Sequence, residues 1–165
     1  MISPQEVLNA ASKKKNENYK FRRFLKNHAD EKELDEQFLR LHNEIYNNYD
    51  CSKCRNCCKL FHAEIPITEI ERDAQYLGMT TDNFIETYLQ KDEYGIEYIT
   101  KNKPCDFFVD NQCLLGDCKP KSCANFPHTN QPERLLSLLS FIENVSVCPI
   151  AYEICERLKQ EYNFK

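Results

Sequence analysis

Apolar residues in the first third of the chain recur at helical spacing. Leu34, Phe38, Leu41 and Ile45 follow one another at four, three and four residues, which places all of them on one helix face. Asp30, with Glu33 three residues on, has the form of a capping box at the start of that helix. Upstream, Ser3-Pro4 pairs a capping hydroxyl with a proline tolerated at the first helical position, and Val7, Leu8 and Ala11 begin an apolar side. Phe21, Phe24, Leu25 and His28 resume one beyond the polar stretch Lys13–Asn18, where the pattern predicts a break.

Past the middle the pattern changes. Thr68 and Glu71 have capping-box spacing ahead of Ile70, Ala74 and Leu77, and Gly78 is placed as a stop. A short helix is expected over Asp82–Gln90. Glu97–Thr100 and Phe107–Val109 have strand character, and Asp110-Asn111 is a turn signal for a small hairpin reaching Cys113. Pro104, Pro120, Pro127 and Pro132 punctuate a region of little regular structure. Leu135–Ile142 is read as helix, and Pro149 opens a last one with Ile150, Ala151, Ile154 and Leu158 facing inward. The expected fold class is α+β and mostly helical. Residues 1–50 form an N-terminal helical segment with a basic arm, and residues 51–165 an irregular, metal-stabilised cysteine-cluster domain with a short β-hairpin.

A chain of 165 residues can bury roughly two thirds of its unfolded surface, so metal is not needed merely to rescue a tiny core. No segment approaches the roughly 20 apolar residues of a membrane span, and Met1–Glu6 lacks the marks of a secretory signal. A cytoplasmic location without a membrane partner is therefore expected. There, ten cysteines are better explained by thiolate–metal bonding than by disulfides. A net charge of −4 argues against a surface built throughout for nucleic acid. One stretch differs: Lys13, Lys14, Lys15, Lys20, Arg22, Arg23 and Lys26 face a single Glu17. This arm either meets an acidic protein or RNA, or is a solvated helix face.

Two cysteines separated by two residues reach adjacent corners of a tetrahedron across one tight turn. Cys51/Cys54 and Cys54/Cys57 both have this spacing, and Cys58 follows at once. Three cysteines at two-residue gaps with a distant Cys-Pro, here Cys51, Cys54, Cys57 and Cys148-Pro149, have the form that holds a 4Fe–4S cluster in bacterial ferredoxins. Cys58, Cys105, Cys113 and Cys123 would then complete a second tetrahedral site, with zinc its simplest occupant. Counting thiolates does not separate zinc from an iron–sulfur cluster. Cys118 and Cys155 are set aside, the latter as a buried structural thiol. Of His28, His42, His62 and His128, only His62 is close to Cys58 in sequence, and none has zinc-finger spacing to another.

At these residues the sequence resembles the YkgJ-type CxxCxxCC family of zinc- or iron-chelating proteins. Pro104-Cys105-Asp106-Phe107-Phe108, Cys113, Lys119-Pro120-Lys121-Ser122-Cys123-Ala124-Asn125-Phe126-Pro127 and Cys148-Pro149 are similar to its downstream elements. The resemblance implies metal ligation by Cys51, Cys54, Cys57, Cys58, Cys105, Cys113, Cys123 and Cys148. Gly116 stands where the family favours Tyr, and Lys119 and Ala124 stand where it favours Arg. A larger relative, the flagellin lysine N-methylase, shares the cysteine pattern.

With three glycines the chain cannot build a Gly-rich nucleotide loop, and it has neither a Gly-x-Ser-x-Gly elbow nor a His-Glu-x-x-His helix. Three classes stay open. The first is a metal protein with a structural or redox centre, the second a metal-dependent enzyme related to the methylase, and the third a zinc-stabilised protein- or RNA-interaction module.

Overall fold

The computed structural model describes residues 1–165. In chain order its elements are α1 Val7–Lys13, α2 Lys15–His28, α3 Glu31–Tyr46, α4 Cys51–Cys54, α5 Asn56–Leu60, β1 Glu64–Ile65, α6 Ile67–Tyr76, α7 Thr81–Tyr88, β2 Leu89–Lys91, β3 Tyr98–Thr100, β4 Phe108–Val109, β5 Gln112–Cys113, α8 Lys121–Ala124, α9 Leu138–Val145 and α10 Pro149–Glu161, with a 3-10 turn at Gly116–Cys118. The fold is α+β and mostly helical. It divides into two compact units, Met1–Cys54 with Pro127–Lys165, and Arg55–Phe126. No single helix is long and apolar enough to cross a membrane.

In the first unit the helix break falls at Lys14, inside the polar stretch. Helix α3 starts as its capping signal predicts, with the Asp30 carboxylate accepting from the Glu33 amide at 3.0 Å. Ser3 does not cap α1. Its hydroxyl donates to the Glu6 carboxylate at 2.5 Å, while its carbonyl accepts from the Glu6 and Val7 amides. Leu34, Phe38, Leu41 and Ile45 are all buried, and α10 packs against α3 and α9. Phe38 meets Phe141 edge-on, the ring centroids 4.8 Å apart. Helix α9 begins at Leu138, later than Leu135. The Asp35 carboxylate captures the Glu133 and Arg134 amides at 2.9 Å each and holds that segment in a turn.

His42 lies buried on α3, its Nδ1 2.8 Å from the Thr129 hydroxyl and its ring stacked on Tyr46. Burial depresses its pKa below the ordinary 6.5, so the folded state holds it neutral while the unfolded chain accepts a proton. The stability it supports is complete above 6.5 and is lost as the pH falls below that value. Thermal melts between about pH 7 and 5 should therefore show a smaller acid-induced drop in Tm for His42→Gln than for the wild type. Equal drops would contradict this.

In the second unit β1, β3 and β2 form an antiparallel sheet in that order, and β4 and β5 form a hairpin. Asp110 and Asn111 have φ of 49° and 62°, the left-handed pair that a two-residue hairpin turn requires. Gly78, at φ +69°, closes α6: its amide reaches the Gln75 carbonyl and the Met79 amide that of Ala74. Thr68 is not a cap, because α6 already starts at Ile67 and the Pro66 carbonyl takes the Glu69 amide at 2.8 Å. Helix α7 is capped by Thr80 and stops at Tyr88, short of Gln90, because Leu89–Lys91 pairs with β3. The core of this unit is Ile65, Ile70, Ala74, Phe84, Leu89, Phe107 and Leu115, and Cys105 and Cys113 pack against it.

Candidate metal centre

The cysteine run is helical on both sides of one left-handed residue. It folds as two single helical turns, α4 and α5, separated by Arg55 in the left-handed region at φ 56°. Cysteines three apart share one side of a turn, which is how α4 presents Cys51 and Cys54. The Asp50 carboxylate braces the start of α4 by accepting from the Ser52 amide and hydroxyl.

In the first unit three thiols feel one another. Cys54 and Cys148 are buried and Cys51 is exposed. Cys148 stands at the cap position of α10, where the Ala151 and Ile150 amides favour its charged form. Burial pushes its thiol up to about 12 against those amides, and negative charge on Cys51 and Cys54 pushes the same way. Tyr49 hydrogen-bonds the Cys54 thiol, and burial followed by that bond drives its phenol well above the ordinary value.

In the second unit the thiols of Cys57 and Cys58 share a hydrogen bond. That bond, aided by Lys119 and Arg55, holds Cys58 at about 6 despite its burial, and it drives Cys57 strongly upward. The Cys105 amide donates to the Cys58 carbonyl at 2.7 Å, tying the Pro104-Cys105 segment to α5. Burial raises Cys105 to about 11, and charge on Cys58 and Cys113 adds to it, while the Phe107 amide and Thr100 hydroxyl oppose it. Burial likewise raises Cys123 to about 11, with Cys105 and Cys58 contributing. Ser122 sets the end of this loop, its hydroxyl donating to the Glu64 carbonyl and lying 3.9 Å from the Cys123 sulfur.

Cys57 falls in the second unit, and its thiol is hydrogen-bonded to that of Cys58. Lys119 acts on Cys57, Cys58 and Cys123, and sequence reasoning treated it only as a substituted Arg. Its place next to Pro120 and four residues before Cys123 is the signal that would have found it. Of the cations near the run, Arg55 reaches a thiol, whereas Lys53 is highly exposed and pairs with Asp50 at 3.5 Å. His62 donates from Nδ1 to the Thr100 carbonyl at 2.7 Å, and His28 to that of Phe24 at 2.9 Å. Cys155 is fully buried, 4.0 Å from the Asn18 side-chain oxygen, and burial lifts it to about 12.

All ten cysteines are free thiols, and no group of three His, Cys, Asp or Glu side chains stands at metal-holding geometry. The donor chemistry nonetheless fits zinc or iron. Half-buried and buried thiols that raise one another's pKa disfavour joint ionisation, and a bound cation reverses that electrostatic order.

A family model, CxxCxxCC, described as "Putative zinc- or iron-chelating domain", matches residues 50–149. The match includes all eight candidate ligands and excludes α1 to α3 and Cys155. No curated protein and no solved structure matches the chain.

Proposed function

The chain belongs to the CxxCxxCC family, and we propose that it is a cysteine-ligated metalloprotein whose centres are structural or carry electrons. Zinc or iron chelation is the family's description; the residue assignment and the form of the metal are our reading. Cys58, Cys105, Cys113 and Cys123 supply one tetrahedral set, with Cys57 hydrogen-bonded at its edge. Cys51, Cys54 and Cys148 supply a second. The observation that carries this reading is the convergence of half-buried thiols remote in sequence: the Cys105 amide donates to the Cys58 carbonyl at 2.7 Å, and charge on both residues bears on Cys123.

The spacing of Cys51, Cys54 and Cys57 with Cys148-Pro149 has the ferredoxin form, which favours an iron–sulfur cluster for the set that holds Cys148. Zinc suits the other set. When bound, an iron–sulfur centre supplies one-electron exchange, and thiolate-bound zinc supplies cross-linking. The residues themselves supply negative charge, partly offset by Lys119 and Arg55. A cytoplasmic location follows from this reading, because a reducing compartment keeps such thiols available.

Cys148→Ala should bleach the visible absorption of anaerobically purified protein, and Cys113→Ala should leave most of it. The reverse pattern would overturn the assignment of the cluster.

A further inference from the structure

Helix α2 has a surface that the metal chemistry does not use. One side, Phe21, Leu25 and Asn18, is buried. The other carries Lys15, Tyr19, Arg23 and Lys26, all exposed, with half-buried Arg22 beside them. At about 100° per residue these five fall within roughly a third of the helix circumference. Their offsets of four, seven, eight and eleven residues from Lys15 repeat once per turn over about 16 Å.

These cations lack counter-ions. Lys14, Arg40, Arg72, Arg157 and Lys159 each hold a carboxylate, whereas Lys15, Lys20, Arg22, Arg23 and Lys26 make no ion pair. The Arg22 Nε is buried without a hydrogen-bond partner. Arg22 and Arg23 stand four and three residues before Lys26, so like charges face each other at the spacings where repulsion costs helix stability. An anion laid along this side relieves that repulsion.

We propose that this face of α2 docks an acidic peptide segment, presented as a helix with glutamates one turn apart. Such a helix repeats its carboxylates at the pitch of Lys15, Arg22 and Lys26, so the charges pair along the row. A nucleic acid fits less well. The chain is net −4 although α2 is strongly basic, so a polyanion extending past the helix meets an acidic remainder. Tyr19 is also the single aromatic residue on this face, where strand-binding surfaces stack several bases.

The test uses the full metal-loaded chain and two fluorescein-labelled probes: an alanine-based peptide of about 20 residues with glutamates at four-, three- and four-residue steps, and a uridine oligonucleotide of equal charge. Anisotropy should show the peptide binding at about 50 mM salt, more tightly than the oligonucleotide, and weakening as salt rises. Combined Lys15→Gln, Arg23→Gln and Lys26→Gln should weaken it roughly tenfold with metal content unchanged. Arg40→Gln with Arg157→Gln, which removes cations already paired, should change it by less than about twofold. Absence of peptide binding at low salt, tighter binding of the oligonucleotide, or equal losses in the two variants would overturn the proposal.

Discussion

Removing bound metal with a chelator is expected to unfold the Arg55–Phe126 unit. That unit is built from α6 and α7, the single-turn helices α5 and α8, and strands of two or three residues, around the core of Ile65, Ile70, Ala74, Phe84, Leu89, Phe107 and Leu115. A core this small supplies only a few kcal/mol, whereas a structural thiolate–zinc site contributes on the order of 10–16 kcal/mol. Hydrogen exchange followed by mass spectrometry should show protection lost across Arg55–Phe126 in the stripped protein. Helices α3 and α10, which carry a larger core of their own, should stay protected. Unchanged protection of β1, β3 and α6 after complete stripping would mean that the metal is not structural there. The length of the whole chain suggested that no metal was needed to support a core; division into two units changes that estimate for the smaller one.

The second large effect lies away from the cysteines. Lys159 is 5% exposed on α10, and its ammonium donates to Glu17 at 2.6 Å, to Asn18 at 2.6 Å and to Glu156 at 2.8 Å. Burial by itself favours the neutral amine, yet the two carboxylates outweigh it and hold the pKa above its ordinary value. Glu156 also binds Lys14, so the network ties the junction of α1 and α2 to α10. Lys159→Ala leaves the buried Asn18 oxygen with only the weak Cys155 thiol donor, and part of Glu156 with none. The expected loss is about 2–3 kcal/mol, below the full range for broken buried pairs because Glu17 is half exposed. Urea denaturation followed by helical circular dichroism measures it. A loss under about 0.5 kcal/mol would show the network to be as inconsequential as a surface pair.

What could be read from sequence was what local chemistry decides. Asp30, Glu33 and the spacing from Leu34 to Ile45 specify α3 without reference to any other element. The Asp110-Asn111 hairpin and the Gly78 stop are likewise local, since each needs only a residue that accepts positive φ. The strands β1 and β2 were not visible because two or three residues are too few to show a period of two. The start of α9 depends on Asp35, 98 residues before Glu133, and no local signal records that bond. Lys159 sits in the inward stripe of α10, where pattern alone favours an apolar residue.

The cysteines divide in the same way. Spacing along the chain identified Cys51, Cys54, Cys57 and Cys58 as one motif, but the left-handed Arg55 interrupts it, and the boundary between the units falls there. Spacing could not convey that Cys57 bonds to Cys58, or that Lys119 reaches both. The downstream thiols Cys105 and Cys123 join Cys58 through long-range packing, which the family resemblance implied and local pattern did not.

The most direct test of the central claim is elemental analysis of the full chain purified anaerobically from cells grown without added chelator, with an optical spectrum of the same sample. The account predicts zinc or iron bound in stoichiometric amount, with broad visible absorption and sulfide where the metal is iron. Protein that is folded, colourless and free of both metals, and that takes up neither when they are supplied, would contradict it.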